Sequence, residues 1–334
     1  MIAYAYLLRC SDNSLYAGYT TDPQRRLKAH NAGKGARYTR TRLPAAYAYL
    51  QCFKTKNEAL SAEARLKKLS HAEREAFIRS VKEISQTEDS KMDYGIQMFS
   101  VRDLAKEDLF NAFKKMSEIG YRKIETAGFF GHSAAEVKGM LDTLGLTLSG
   151  THSPYQDLVD AYEETVRYHE ALGNTEYIIP GADLSTKEKL DAFIENVNRI
   201  QPLLQERGIH LSYHNHAHEF RPLADGTVIY DELVGRTALG LEIDTYWAYV
   251  GGKDPVALME ELKGRLRFIH IKDGDAEGNG KPLGLGTAPV AAVYQKAVEL
   301  GIPMIVESET QDPDGETEAR ICFAYLKKLE SGRA

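Results

Sequence analysis

The sequence predicts an α/β protein in two parts, a small α+β module followed by a (β/α)8 barrel. Three observations carry that expectation. From residue 93 onward, strand-like apolar runs alternate with helical patterns at intervals of roughly 25–35 residues, as repeated β/α units do. Residues 84–92, Ile-Ser-Gln-Thr-Glu-Asp-Ser-Lys-Met, are polar and aperiodic, the composition of a linker. Charge is also divided unevenly. Of 42 Lys+Arg and 48 Asp+Glu, residues 1–83 carry 16 and 7 and the remainder 26 and 41, balances of +9 and −15. The expected boundaries are therefore 1–83, a linker at 84–92, and 93–334. A basic module beside an acidic one implies different partners, and the basic one is the candidate for nucleic acid.

In the first module, residues 2–9 read as a strand, Asp12-Asn13-Ser14 as a turn, and Leu15–Tyr19 as a second strand. Thr21-Asp22-Pro23 opens a helix, with proline in the first turn. A basic loop with Lys34, Arg37, Arg40 and Arg42 follows, suited to phosphate whether or not the module cleaves anything. Ala45–Phe53 gives a third strand and Glu58–Lys68 a helix.

The second module offers eight strands: Tyr94–Phe99, Lys123–Thr126, Leu146–Gly150, Glu176–Ile179, Ile209–Tyr213, Gly240–Ile243, Arg267–Ile271 and Met304–Val306. Helical patterns run between them, among them Leu109–Ile119, Ala134–Leu144, Leu158–Leu172, Lys187–Arg207 and Pro255–Leu262. Eight such units fit the roughly 250 residues of a closed barrel. A doubly wound open sheet is the alternative, disfavoured because no Gly-rich phosphate fingerprint follows the first strand.

A barrel places its chemistry at the C-terminal strand ends. Those positions hold Glu125, His152, His214, Asp244, His270 and Glu307. A lone aspartate there caps a helix as readily as it holds an ion, and His214, His216 and His218 also suit a solvated strand exit. Imidazole or carboxylate on four consecutive strands, His214, Asp244, His270 and Glu307, is the pattern of a divalent metal site, because closure makes those ends converge. Around it, His152, His216 and Glu219 offer polar contacts to a substrate. Trp247 and Phe99 offer flat apolar faces to such a substrate, and Lys272 a cation for negative charge.

Two resemblances extend this reading. Tyr4-Ala5-Tyr6 and Tyr16-Ala17-Gly18 resemble the paired tripeptides of GIY-YIG nucleases, small bacterial type, over about residues 1–82. The resemblance implies that Tyr6 and Tyr16 orient or deprotonate the attacking water and that Arg26 neutralises phosphate. It makes His30 a base or phosphate contact, and gives Glu63 one Mg2+ or Mn2+ ion. The first tripeptide departs from the family, with Tyr4 in place of glycine. The second module is similar to the sugar phosphate isomerase/epimerase superfamily with its xylose isomerase-like TIM barrel. The similarity rests on Gly95–Arg102, Ile124–Gly128, Tyr213–His216 with Glu219-Phe220, Ile243–Trp247, Ile269–Asp273 and Val306-Glu307. That resemblance implies a divalent ion, Mn2+ first, with Mg2+, Co2+ or Zn2+ as alternatives. It implies proton transfer on a carbohydrate through an enediolate. Members with a glutamate on the fifth strand use it as ligand and base; His214 stands in its place here. Glu307 then remains one acid/base, and Glu125, Glu219 or Lys272 supplies the other.

Rival readings remain. Endonuclease IV shares the barrel, but its Asp-Thr-Cys-His is Asp244-Thr245-Tyr246-Trp247 here, and an acidic module suits duplex phosphates poorly. A dehydratase acting on a cyclic polyol or keto sugar is another, and an inactive nucleic-acid adaptor is a third for the first module. Composition, 43% hydrophobic and 27% charged, is that of a soluble globular chain, with no apolar run of the roughly 18 residues that cross a bilayer. The start lacks the features of a signal peptide. Cys10, Cys52 and Cys322, odd in number and far apart, read as reduced thiols, so the expected compartment is the cytoplasm, and an oligomer is compatible with all of this.

Overall fold

The computed structural model describes residues 3–53, 55–78 and 92–332. The chain divides into two compact units, Met1–Lys91 and Met92–Ala334. Residues 84–91 of the expected linker, and Ile2 of the first expected strand, lie outside the described residues. Met92, placed in that linker, belongs to the second unit, where its amide donates to Glu330 Oε1 at 3.2 Å.

The first unit is a three-stranded antiparallel sheet, β1 (Ala3–Arg9), β2 (Leu15–Thr20) and β3 (Ala46–Phe53), in the order β2-β1-β3. Helix α1 (Pro23–Asn31) follows β2, and α2 (Lys56–Lys68) follows β3. Asp22 caps α1 as its position before proline predicts, accepting from Arg25 N–H at 2.9 Å. The alternation of β1 places Ala5 and Leu7 in one small core with Leu15, Ala62 and Leu66, and Tyr6 and Leu8 on the opposite face. That second face carries the site.

The second unit is a closed barrel of eight parallel strands. They are β4 (Gly95–Gln97), β5 (Lys123–Ala127), β6 (Thr147–His152), β7 (Glu176–Ile179), β8 (His210–His214), β9 (Gly240–Asp244), β10 (Leu266–Ile271) and β13 (Met304–Val306). A small ribbon, β11 (Asp273–Gly274) with β12 (Gly280–Lys281), follows β10. All eight expected strands form, within two residues of their expected ends. The first is the shortest: Gln97 ends it because its side chain accepts from Phe99 N–H and starts a 3₁₀ turn over Met98–Val101.

One expected helix differs in detail. Leu158–Leu172 is two helices, Tyr155–Asp160 and Tyr162–Leu172, broken where Ala161 leaves helical geometry at φ −140°. Lys187–Glu206 runs on through Pro202, with Thr186 as its cap. Cys10 and Cys322 are buried free thiols, and the Cys52 side chain lies outside the described set. Among the described residues, no helix is long and apolar enough to cross a membrane.

Candidate functional sites

In the barrel, the C-terminal strand ends gather a polar cluster with almost no solvent. His214, Asp244, His270, Lys272 and Glu307 are all buried, as are Glu125 and Glu242. The four residues expected to hold a metal, His214, Asp244, His270 and Glu307, each offer a ligand atom within 4.8 Å of the others. Two imidazoles and two carboxylates are a donor set for Mn2+, Co2+ or Zn2+. Asp244 explains why cap and ligand were both plausible from sequence. Its Oδ1 accepts from Trp247 N–H at 2.8 Å and caps the short helix Thr245–Val250. Its Oδ2 is buried without a hydrogen bond, the nearest cation being Lys272 Nζ at 3.8 Å. A bare buried carboxylate oxygen beside two imidazoles fits a cation ligand.

Charge is densely arranged here. Lys272 Nζ lies 3.3 Å from Glu307 Oε2 and 2.7 Å from Glu309 Oε1. Burial works against its charge, yet Glu307, Asp244 and Glu309 hold its pKa above the ordinary lysine value. Burial likewise disfavours ionised Glu307, but Lys272 and His270 outweigh it and keep that carboxyl well below its usual range. Asp244 is pushed up to about 7, by burial first and Glu307 also. Burial holds His214 down to about 3, so its ring is neutral, as a metal ligand must be.

Beneath this group lies a second one. Glu125 Oε1 accepts from Gln97 Nε2 and from His270 Nε2, each at 2.7 Å. Glu242 Oε2 stands 2.6 Å from His152 Nε2 and 3.2 Å from both His214 Nδ1 and His270 Nε2. Glu125 is raised to about 7 by burial and by Glu242. Sequence reasoning passed over Glu242 and the role of Gln97. The available signal was spacing, since Glu242 sits two residues before Asp244 and so shares its face of the strand.

The expected substrate contacts divide. His152 reaches inward to Glu242 and also lines a cavity of about 420 Å3 with Phe129, Pro154 and Tyr168. Glu219 is buried, its oxygens accept from Tyr213 Oη at 3.0 Å and His216 N–H at 2.8 Å, and with His216 and His218 it forms a further group of possible ligands. His216 sits beside His214, with ring centroids 5.0 Å apart, and its Nδ1 is buried without a partner. The Lys272 ammonium lies 4.7 Å from the Trp247 ring centre, while Phe99 is exposed with Arg102 against it.

In the first unit, the expected residues meet on one face of the sheet. Tyr6 is fully buried, its hydroxyl 3.0 Å from Arg26 Nε and 3.3 Å from His30 Nε2. Burial raises the Tyr6 pKa, against the pull of Arg26. His30 Nδ1 is anchored on Thr39 Oγ1 at 2.7 Å, and burial lowers its pKa, with Arg26 acting in the same direction. Tyr16, Arg26 and Glu63 line an open cavity of about 370 Å3 with Gly18 and Arg25. Gly18 is required by contact: a Cβ there would stand 2.4 Å from Tyr6 Cζ. Glu63 Oε1 pairs with Lys67 Nζ at 2.9 Å, leaving a carboxylate at the cavity wall that fits a hydrated Mg2+.

Fold and sites thus define a chain with a small sheet-and-helix catalytic module and a parallel β/α barrel with a polar cluster at its strand ends. The chain belongs to the xylose isomerase-like TIM barrel family, matched over residues 113–329, and carries a GIY-YIG catalytic domain matched over residues 2–76. A UPF0213 protein of Bacillus licheniformis is 56% identical over 75 residues, covering 22% of this chain and 77% of the relative. A sugar phosphate isomerase/epimerase from Parabacteroides distasonis superposes with a TM-score of 0.61 at 24% identity, covering 71% of this chain and 94% of that one. An AP endonuclease, family 2, from Brucella melitensis does so with a TM-score of 0.55 at 15% identity, covering 68% and 96%. At these identities the two structures speak for the fold.

Proposed function

We propose that the barrel is a metal-dependent carbohydrate isomerase or epimerase that moves a proton at a carbon next to a carbonyl. The observation that carries this reading is the quartet of His214, Asp244, His270 and Glu307 with the bare Asp244 Oδ2, beside the paired Lys272 and Glu307. His214, Asp244, His270 and Glu307 would hold a divalent ion, which when bound would supply Lewis-acid chemistry toward the substrate oxygens. The chain does the rest. Glu307, kept ionised by Lys272 and His270, is the group that takes the proton. Lys272, fully charged and screened from water, steadies negative charge as it develops on the substrate. Trp247 and His216 form the wall against which a sugar lies.

Glu307→Gln tests this. The fold should survive, while exchange of the substrate carbon's proton with solvent falls by roughly 10²–10⁴-fold. Metal content measured alongside separates lost base from lost ion. Elimination of water in place of isomerisation would move the assignment to a dehydratase.

The first unit we read as a structure-specific nuclease, on the convergence of Tyr16, Arg26 and Glu63 around one open cavity. Arg26 neutralises the phosphate, Tyr6 and Tyr16 orient the attacking water, and Glu63 holds Mg2+ or Mn2+. Cleavage of branched DNA in Mg2+ should vanish in Glu63→Ala. Binding without cleavage in the wild type would make the unit an adaptor.

A further inference from the structure

The two buried glutamates below the proposed metal ligands have no role in the reaction as drawn. A chain of donors and acceptors defines what they do. Phe99 N–H donates to Gln97 Oε1, which fixes that amide so that its NH2 end faces Glu125. An amide nitrogen is a donor only, so Glu125 Oε1 is an acceptor. The same oxygen is 2.7 Å from His270 Nε2, which therefore carries the hydrogen. In the neutral ring that a metal requires, the other nitrogen, Nδ1, holds the lone pair, and it lies 3.2 Å from Glu307 Oε2, a second ligand atom of the same quartet. Glu242, on the strand that pairs with that of His270, faces the same ring. Its Oε2 is hydrogen-bonded to His152 Nε2 at 2.6 Å, while His214 Nδ1 and His270 Nε2 lie 3.2 Å from the same oxygen as close contacts, His214 Nδ1 having no hydrogen-bond partner as the ring is oriented. Hydrogens on those inner nitrogens make that crowding attractive, and leave His214 Nε2 free.

We propose that Glu125 and Glu242 are positioning residues that hold the protons of His270 on Nε2 and of His214 on Nδ1, so that both rings turn lone pairs toward one divalent ion. The inference rests on reading the barrel as a metal-dependent enzyme, and it gives Glu125 a task other than proton transfer. It also accounts for a glutamate pair sealed from water at a site that needs neutral histidines. The same inner atoms compose a competing arrangement, in which His152, His214, Glu242 and His270 hold a second cation of their own. The two arrangements differ in where the hydrogens are.

The test uses the full-length protein labelled with 15N in its histidines, titrated with Zn2+ as a diamagnetic probe. One equivalent should bind in the barrel, read from the shifts of its histidines, and two-bond 15N–1H correlations should show His270 protonated at Nε2 and His214 at Nδ1 in the loaded protein. Glu125→Gln and Glu242→Gln should each weaken Zn2+ binding by about 10–100-fold with unchanged secondary structure. Because the wild-type spectrum needs no variant, the proposal stands or falls even if a substitution disturbs folding. Coordination through His270 Nε2, or a second equivalent bound with loss of both inner hydrogens, would overturn it. If the expected tautomers and stoichiometry hold while no sugar exchanges a proton with solvent, this inference survives and the isomerase reading fails.

Discussion

The two candidate sites solve the problem of charge in opposite ways. In the first unit a surface cavity collects Tyr16, Arg25, Arg26 and Glu63 around open solvent, and only Tyr6 and His30 behind it are sealed. In the barrel, four carboxylates, two imidazoles and an ammonium are packed out of water, each with its neighbours as counter-charges. An open basic cavity suits a long polyanion that brings its own counterions. A sealed cluster suits a small neutral molecule, whose reacting atoms must meet fields undamped by solvent. The contrast teaches that one chain can carry a site that depends on bulk ionic strength and another insulated from it.

That contrast is open to attack, beginning with the largest effect. Arg26→Ala should lower DNA cleavage by about 10²–10³-fold, the loss usual for one group that stabilises transition-state charge, with sugar turnover untouched. Raising salt from about 50 to 200 mM should weaken DNA binding steeply, whereas proton exchange on a neutral sugar should scarcely move. Equal salt sensitivity of the two activities would break the comparison.

Smaller effects fall on stability. His169 is buried, accepts from Asn174 Nδ2 at 3.0 Å, and is held neutral by burial, its pKa lowered to about 4. Its contribution is intact above an unfolded value of about 6.5 and is lost as pH falls toward 4, to the order of 3 kcal/mol. Urea unfolding at pH 7 and pH 4.5 should therefore differ less in His169→Gln than in the wild type. Gly18→Ala should cost roughly 1–3 kcal/mol by driving a methyl into the Tyr6 ring, and thermal unfolding of the first unit reads it.

Much of this was legible in sequence because barrel closure is an arithmetic of strand ends. Once eight strands are marked, the residues leaving strands five to eight must converge, and His214, Asp244, His270 and Glu307 do. Glu242 was not legible as part of the site. A parallel strand buried on both faces reads as a continuous run, so the two-residue step from Glu242 to Asp244 was the one sign of the face it takes. The contacts of Glu219 were hidden for a different reason: the 3₁₀ turn His218–Phe220 brings its carboxylate onto Tyr213 and the His216 amide, and no spacing rule announces that turn. The break at Ala161 was hidden because apolar spacing continues across it.

The central claim is that the barrel moves a proton on a carbohydrate with the help of a bound ion. Its most direct test is deuterium incorporation from heavy water into a panel of ketoses and their phosphates, with and without prior chelation. The account predicts label at the carbon beside the carbonyl of at least one sugar, abolished by chelation and restored by Mn2+. Cleavage of abasic-site DNA by the barrel, with no sugar labelled under any condition, would contradict it.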